Sequence, residues 1–166
     1  MEFGLCMVTT RDVNDVLYGF TQAEKHGFSF VGLWDSPHNF MDIYPYLGIA
    51  AMNTEKVEMG PFVTNPLTRH PSVTASAMAT IDMLSDGRAF LGLGRGDSAV
   101  KMLGWRPAKW KEYEQSIHDM RSWMRDDRVR RSRCSRVVRQ GRSGGRKGSR
   151  TRPGAIRGQH WRVRVG

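Results

Sequence analysis

Residues 72–98 read SVTASAMATIDMLSDGRAFLGLGRGDS, and this stretch decides the fold. Thr74, Ala77, Met78, Ile81 and Leu84 recur at helical spacing on one apolar stripe, which predicts a helix over 72–85. Gly87 supplies its stop. Ala89 to Leu93, AFLGL, is an apolar run of strand length that opens into Gly94-Arg95-Gly96-Asp97-Ser98. A helix, a tight turn, a buried strand and a polar loop in so short a span form one leg of a βαβ crossover.

The same unit recurs outward from this stretch. Phe3 to Val8, FGLCMV, reads as a buried strand. Asp12 then caps a helix whose Val13, Val16, Leu17, Phe20 and Ala23 face one side, and Gly27 ends it. Phe28 to Trp34, FSFVGLW, is a second strand, followed by Asp35-Ser36-Pro37-His38-Asn39. Tyr44-Pro45 opens a second helix filled by Leu47, Ile49, Ala50 and Met52. Val57 to Thr64, VEMGPFVT, is a third strand, with a bulge or twist predicted at Gly60-Pro61. Residues 110–125 form the last helix, with Tyr113, Ile117, Met120 and Met124 on its apolar side.

The order is βαβαβαβα. Crossovers one helix long demand parallel strands and right-handed connections. Four such units fit half of a (β/α)8 barrel or most of a small doubly wound sheet. The polar residues gather in the loops after strands, which leans toward the barrel, because barrel enzymes place their chemistry on that face.

Near Asp127 the character of the chain changes. Residues 1–127 hold 12 Lys and Arg against 16 Asp and Glu, whereas 128–166 hold 14 basic residues and no acidic one. The overall charge of +10 therefore belongs to the second segment. Residues 1–127 are the expected folded unit, and 128–166 are expected to be a disordered Arg/Gly-rich tail that does not pack on it. Such a tail binds nucleic acid non-specifically at low salt, although Trp161 is its one aromatic residue and stacking along a strand would be poor. Cys6 and Cys134 lack a CxxC partner or a nearby His at ligand spacing, so two free thiols in a reducing cytoplasm and no metal site are expected. No apolar run approaches the ~20 residues of a membrane span.

The loops after strands have two readings each. Asp35 and His38 read as a capping carboxylate and a solvated imidazole, or as site residues. Asn65-Pro66 is a turn pair. Thr68-Arg69-His70 reads equally as a charged loop or as an anion contact. Gly94 to Ser98 is a tight turn, or a loop whose glycines and N–H groups admit a phosphate. Ser85-Asp86-Gly87-Arg88 reads as structural, on the face away from the chemistry.

Segments 23–35 (AEKHGFSFVGLWD), 60–71 (GPFVTNPLTRHP) and 75–98 (ASAMATIDMLSDGRAFLGLGRGDS) together resemble the N-terminal half of the bacterial luciferase-like superfamily. They are most similar to its coenzyme F420-dependent oxidoreductase branch, which includes methylenetetrahydromethanopterin reductase. The resemblance covers roughly residues 1–125. It implies the first four βα units of a (β/α)8 TIM barrel. It implies hydride transfer between a deazaflavin, coenzyme F420, and a small organic substrate. The alternative is an FMN-dependent monooxygenase of the same family. It places Asp35 and His38 at the cofactor ring and substrate, and a cis peptide at Phe62–Val63 behind the ring, followed by Thr64 and Asn65. It places Gly94, Gly96, Asp97 and Ser98 near the phosphate-bearing tail of the coenzyme. The abrupt onset of the basic segment resembles out-of-frame translation. A truncated, inactive fragment is therefore expected, one that self-associates through exposed sheet edges. A non-enzymatic chain that binds nucleic acid by its tail is the further alternative.

Overall fold

The computed structural model describes residues 1–125 and 163–165. Four short strands alternate with helices: β1 (Gly4–Met7), α1 (Val13–Lys25), β2 (Phe30–Leu33), α2 (Ile43–Asn53), β3 (Glu58–Pro61), α3 (Pro71–Leu84) and β4 (Leu91–Leu93). A single turn, α4 (Ser98–Lys101), and a long helix, α5 (Trp110–Arg125), follow. A last strand, β5 (Val163–Val165), lies within the basic segment.

All pairings are parallel. Gly4 lies opposite Phe30 and Met7 opposite Leu33. Phe30 in turn lies opposite Glu58, and Leu33 opposite Pro61. β3 and β4 touch at two separated points, Met59 with Ala89 and Thr64 with Leu93. At one point the Met59 N–H donates to the Arg88 carbonyl at 3.0 Å; at the other the Thr64 N–H donates to the Gly92 carbonyl at 3.0 Å. Residues 60–63 bulge out between these contacts, as the Gly60-Pro61 pair predicts, and the Phe62–Val63 peptide is cis. Glycine is required at 60, because a Cβ there would stand 1.9 Å from the Phe90 carbonyl oxygen. The spatial order β1-β2-β3-β4 with helical crossovers is that of the first four units of a (β/α)8 barrel.

The period-2 alternation sorts the side chains. Val31, Leu33, Met59, Leu91 and Leu93 point to the helices and are fully buried. They meet Phe20 of α1, Leu47 of α2, Met78 of α3 and Met120 of α5, each buried as well. Burying a side chain of that size contributes about 1.5–3 kcal/mol, so this layer dominates the stability. The opposite face carries Phe30, Phe62 and Phe90 with glycines between them; Phe30 stands edge-on to Phe90 at 5.7 Å. Its rim is open, with Trp34 50% exposed.

Caps set the helix starts. Asp12 accepts the Asn14 N–H at 2.8 Å, as the sequence predicts. Asp42 does the same for α2, accepting the Tyr44 N–H at 3.1 Å. α3 starts one residue before the predicted 72, with His70 as its cap. At the amino-terminal end of the strands, Arg88 binds the carbonyls of Ala51, Thr54, Val57 and Ser85 at 2.7–2.9 Å. The structural reading of Ser85–Arg88 stands on these bonds.

One expectation needs correction. Nothing in residues 128–166 was expected to pack on the sheet, yet Val163–Val165 pairs parallel with β4, Leu91 lying opposite Val163. The Val-Arg-Val alternation provides a strand pattern of period 2, which the composition of the segment hides. Residues 126–162 and 166 lie outside the described residues, and with them most of the tail expectations, nucleic-acid binding included. No described helix is long and apolar enough to cross a membrane.

Candidate active site at the carboxyl ends of the strands

Parallel strands deliver their following loops to one end. Asp35 follows β2, Thr64 and Asn65 follow β3, and Gly94 follows β4. Backbone and side-chain bonds tie three of them together. The Gly94 N–H donates to the Thr64 carbonyl at 2.8 Å. The Thr64 hydroxyl donates to Asp35 Oδ2 at 2.6 Å. Thr64 is itself only 1% exposed, so this hydroxyl is fixed by packing.

Burial pushes the Asp35 carboxyl up from its ordinary range; the Thr64 hydrogen bond and the Arg69 charge oppose that, and Asp42 adds to it. Tyr44, on the first turn of α2, stands behind this pair. Its hydroxyl donates to Thr64 Oγ1 at 3.5 Å. Burial, and next the Asp35 charge, push its pKa up to about 12, so it stays a neutral phenol at physiological pH. The Arg69 guanidinium lies 4.4 Å from the centroid of the Tyr44 ring. Its Nη2 donates to Asp42 Oδ2 at 2.7 Å. Cation–ring attraction of this type is worth about 0.5–2 kcal/mol.

Other predicted positions have different surroundings. His38 is exposed, and no described residue hydrogen-bonds to its ring. Asn65 is buried, and its amide serves its own loop: Oδ1 accepts from Leu67 and Thr68 N–H, and Nδ2 donates to Thr68 Oγ1 at 3.0 Å. Its side chain is therefore a turn former. Phe62 and Val63 are partly exposed at the bulge. Gly94 and Gly96 are half-buried, while Asp97 and Ser98 are exposed. Asp97 pairs with Lys101 one turn on.

The inner wall beside the bulge is aromatic. The Trp34 indole N–H donates to Cys6 Sγ at 2.5 Å, and the Cys6 thiol in turn reaches the Phe62 carbonyl at 3.7 Å. Burial raises the Cys6 pKa against the Trp34 bond, so the group is a thiol at neutral pH. Among the described residues no group of three His, Cys, Asp or Glu side chains is placed to hold a metal ion. A groove of about 660 Å³ lies to one side, between Pro66, Leu67, Pro71 and α5; neither Asp35, Thr64 nor Gly94 lines it.

Sequence reading missed Tyr44 and Asp42. Tyr44 passed as a helix-opening residue because of Pro45 beside it. The available signal is its place on the first turn after a site loop, where a helix points its side chains at the strand ends.

Polar side chains at the carboxyl ends of parallel strands occur in doubly wound sheets as well, but with strands in the sequential order β1-β2-β3-β4 the arrangement is that of the (β/α)8 class. Within that class, the model of the luciferase-like monooxygenase family matches residues 1–142, and the chain belongs to this family. It is 38% identical over 103 residues to a 5,10-methylenetetrahydromethanopterin reductase of Methanopyrus kandleri, over 60% of this chain and 28% of that protein. It is 35% identical over 115 residues to an F420-dependent glucose-6-phosphate dehydrogenase of Nakamurella multipartita, over 59% of this chain and 34% of that protein. The solved structure of the coenzyme F420-dependent tetrahydromethanopterin reductase of Methanopyrus kandleri superposes with a TM-score of 0.64 at 28% identity, covering 74% of this chain and 39% of that one. The chain thus spans about a third of the length of the relatives it matches.

Proposed function

We propose that the carboxyl-end face is the first half of an oxidoreductase site that seats the deazaflavin of coenzyme F420 and passes a hydride between it and a small organic substrate. The observation that supports this best is the convergence at one point of Asp35, Thr64, the Phe62–Val63 bulge and the Gly94 backbone, from three successive loops. The coenzyme assignment rests on the F420-dependent relatives named above.

The residues present fit a flat ring with an anionic tail. A Cβ at position 94 would stand 3.1 Å from Val63 Cγ2, so glycine keeps the space beside the bulge clear. A ring seated there would lie beside the Phe62–Val63 bulge and Gly94. Gly96, Asp97 and Ser98 then stand beside its tail, and the backbone of Asn65 lines the approach. When bound, the deazaflavin supplies two-electron hydride chemistry. The protein's part is to bind and orient, with Asp35 beside the substrate to hold or release a proton and His38 at the rim.

The 166-residue chain alone is expected to bind coenzyme weakly and turn over poorly, because the inner face of four units is open. β1 pairs only with β2 among the described strands, so self-association at that edge is expected and sedimentation reads it. Fluorescence titration with F420 and with FMN tests the coenzyme. F420 binding about tenfold tighter than FMN, and lost in Gly94→Val, supports the reading. Equal binding, or binding indifferent to that substitution, overturns it.

A further inference from the structure

The polar groups at the carboxyl end form a chain with a direction. The Thr64 hydroxyl has one proton and gives it to Asp35 Oδ2 at 2.6 Å. Its lone pairs then face Tyr44, whose hydroxyl proton points at Thr64 Oγ1 across 3.5 Å. Behind Tyr44 stands Thr74 on α3. Thr74 Oγ1 is buried and makes no hydrogen bond of good geometry among the described residues. Its dipole nevertheless reaches the Tyr44 oxygen, whose charged form it favours. The two bonds run the same way, from Tyr44 to Thr64 and from Thr64 to Asp35.

Arg69 and Asp42 fix the middle member. Asp42 uses both oxygens: Oδ1 accepts the Tyr44 backbone N–H and Oδ2 accepts Arg69 Nη2. The guanidinium so held covers the Tyr44 ring. The ring is thus held between a helix start and a planar cation, which places its hydroxyl oxygen beside Thr64.

We propose that Tyr44, clamped by Arg69, is a positioning residue for Asp35: its hydroxyl orders that of Thr64 so that Thr64 donates to Oδ2 alone, leaving Oδ1 as the oxygen that exchanges a proton with substrate. This rests on the oxidoreductase reading. When bound, the deazaflavin would accept or supply the hydride; Asp35 Oδ1 would take the proton of the adjoining O–H or N–H group as the hydride leaves the substrate carbon, and would return it in the reverse direction. The groups that bear on Asp35 from the elements packed around it are Arg69 and Thr64 of the β3–α3 loop and Asp42 and Tyr44 of α2. His70, in the same loop, turns its Nδ1 to Ser72 and stacks on Trp123.

The distances rank the expected effects. The 2.6 Å bond is strong and the 3.5 Å one weak. The titration midpoint of Asp35, read by carbon NMR of its carboxyl in the full chain with Asp35→Asn as the assignment control, is the measurement. Thr64→Val is expected to raise the midpoint by about 1 pH unit, because a bond to the charged form is lost. Tyr44→Phe keeps the ring under Arg69 and is expected to raise it by about a third as much. Arg69→Lys keeps the charge and loses the planar cover; it is expected to behave like Tyr44→Phe. A midpoint unmoved in Tyr44→Phe, with the fold intact by circular dichroism, overturns the proposal. So does an Arg69→Lys variant indistinguishable from the parent, which would make Arg69 a bulk charge only. The NMR reading needs no coenzyme. Shifts as expected in a chain that prefers FMN sink the F420 reading and leave the positioning role standing; F420 preference with no shifts does the reverse.

Discussion

A carboxylate and an arginine stand at each end of the strands, and they are handled in opposite ways. At the amino-terminal end, Glu24 takes the backbone N–H groups of Glu55, Lys56 and Val57 at 2.6–3.2 Å. Burial is the largest single influence and raises its pKa, but these bonds and the Arg88 charge together outweigh it, and the net direction is down. Arg88 binds four backbone carbonyls and the Thr54 hydroxyl. At the carboxyl end, Asp35 has one hydroxyl bond, and Arg69 is committed to Asp42 rather than to it. Charge is satisfied by main chain at one end and left partly unsatisfied at the other. The first arrangement holds loops together; the second leaves a carboxyl whose pKa is raised by burial.

The sharpest way to break this contrast is to remove each arginine. Arg88→Ala is expected to lower unfolding free energy by about 3–5 kcal/mol, since several buried carbonyls lose their partner at once. Arg69→Ala is expected to cost about 1 kcal/mol or less, its ion pair being half exposed. Urea denaturation of the two reads the ratio, and a larger loss for Arg69→Ala would reverse the assignment of the ends. The seam between them comes next. Gly60→Ala forces a Cβ into the Phe90 carbonyl and is expected to cost about 1–3 kcal/mol, seen as a lower denaturation midpoint.

The two carboxylates give opposite pH signatures. Glu24 has a lowered folded value, so its contribution is present above the ordinary glutamate range and is lost as pH falls through the folded value. Glu24→Gln is expected to cost about 1 kcal/mol at pH 7, discounted for its exposure, and to flatten the acid limb of stability. Asp35 has a raised folded value, so its contribution is present below the ordinary aspartate range and is lost as pH rises through the folded value. Asp35→Asn is therefore expected to raise the melting temperature slightly at pH 7 while removing the exchangeable proton. This is the smallest effect, and a lower melting temperature at pH 7 would contradict it. Thermal melts between pH 4 and 8 check both.

The strands, the helices and the interruption at Gly60-Pro61 were legible because each rests on a local signal: an apolar run, a stripe at helical spacing, a glycine or proline that stops a ladder. The structural role of Arg88 was legible from its place just after a helix stop. That Asp35, Thr64 and the Phe62–Val63 peptide share one face followed from the parallel topology and the family resemblance, but the Thr64–Asp35 bond depends on register between β2 and β3, which no local pattern carries. That the Asn65 amide bonds its own loop was not legible, because such an amide and a ligand-facing one look alike in a sequence. Tyr44 was invisible for a related reason: its hydroxyl matters only through Thr64, 20 residues on. β5 was hidden by composition, since three residues of alternation weigh little against fourteen positive charges.

The two oxygens of Asp42 have a consequence for how variation at this site would be read. One oxygen starts a helix and the other aims a guanidinium, so most substitutions there damage fold and site together. A mutational survey scored on abundance would file position 42 under stability and overlook its second duty. Asparagine separates the two, because it caps a helix about as well as aspartate but carries no charge for Arg69. Among the nineteen replacements, it is the one in which a loss at the site would show against an unchanged fold.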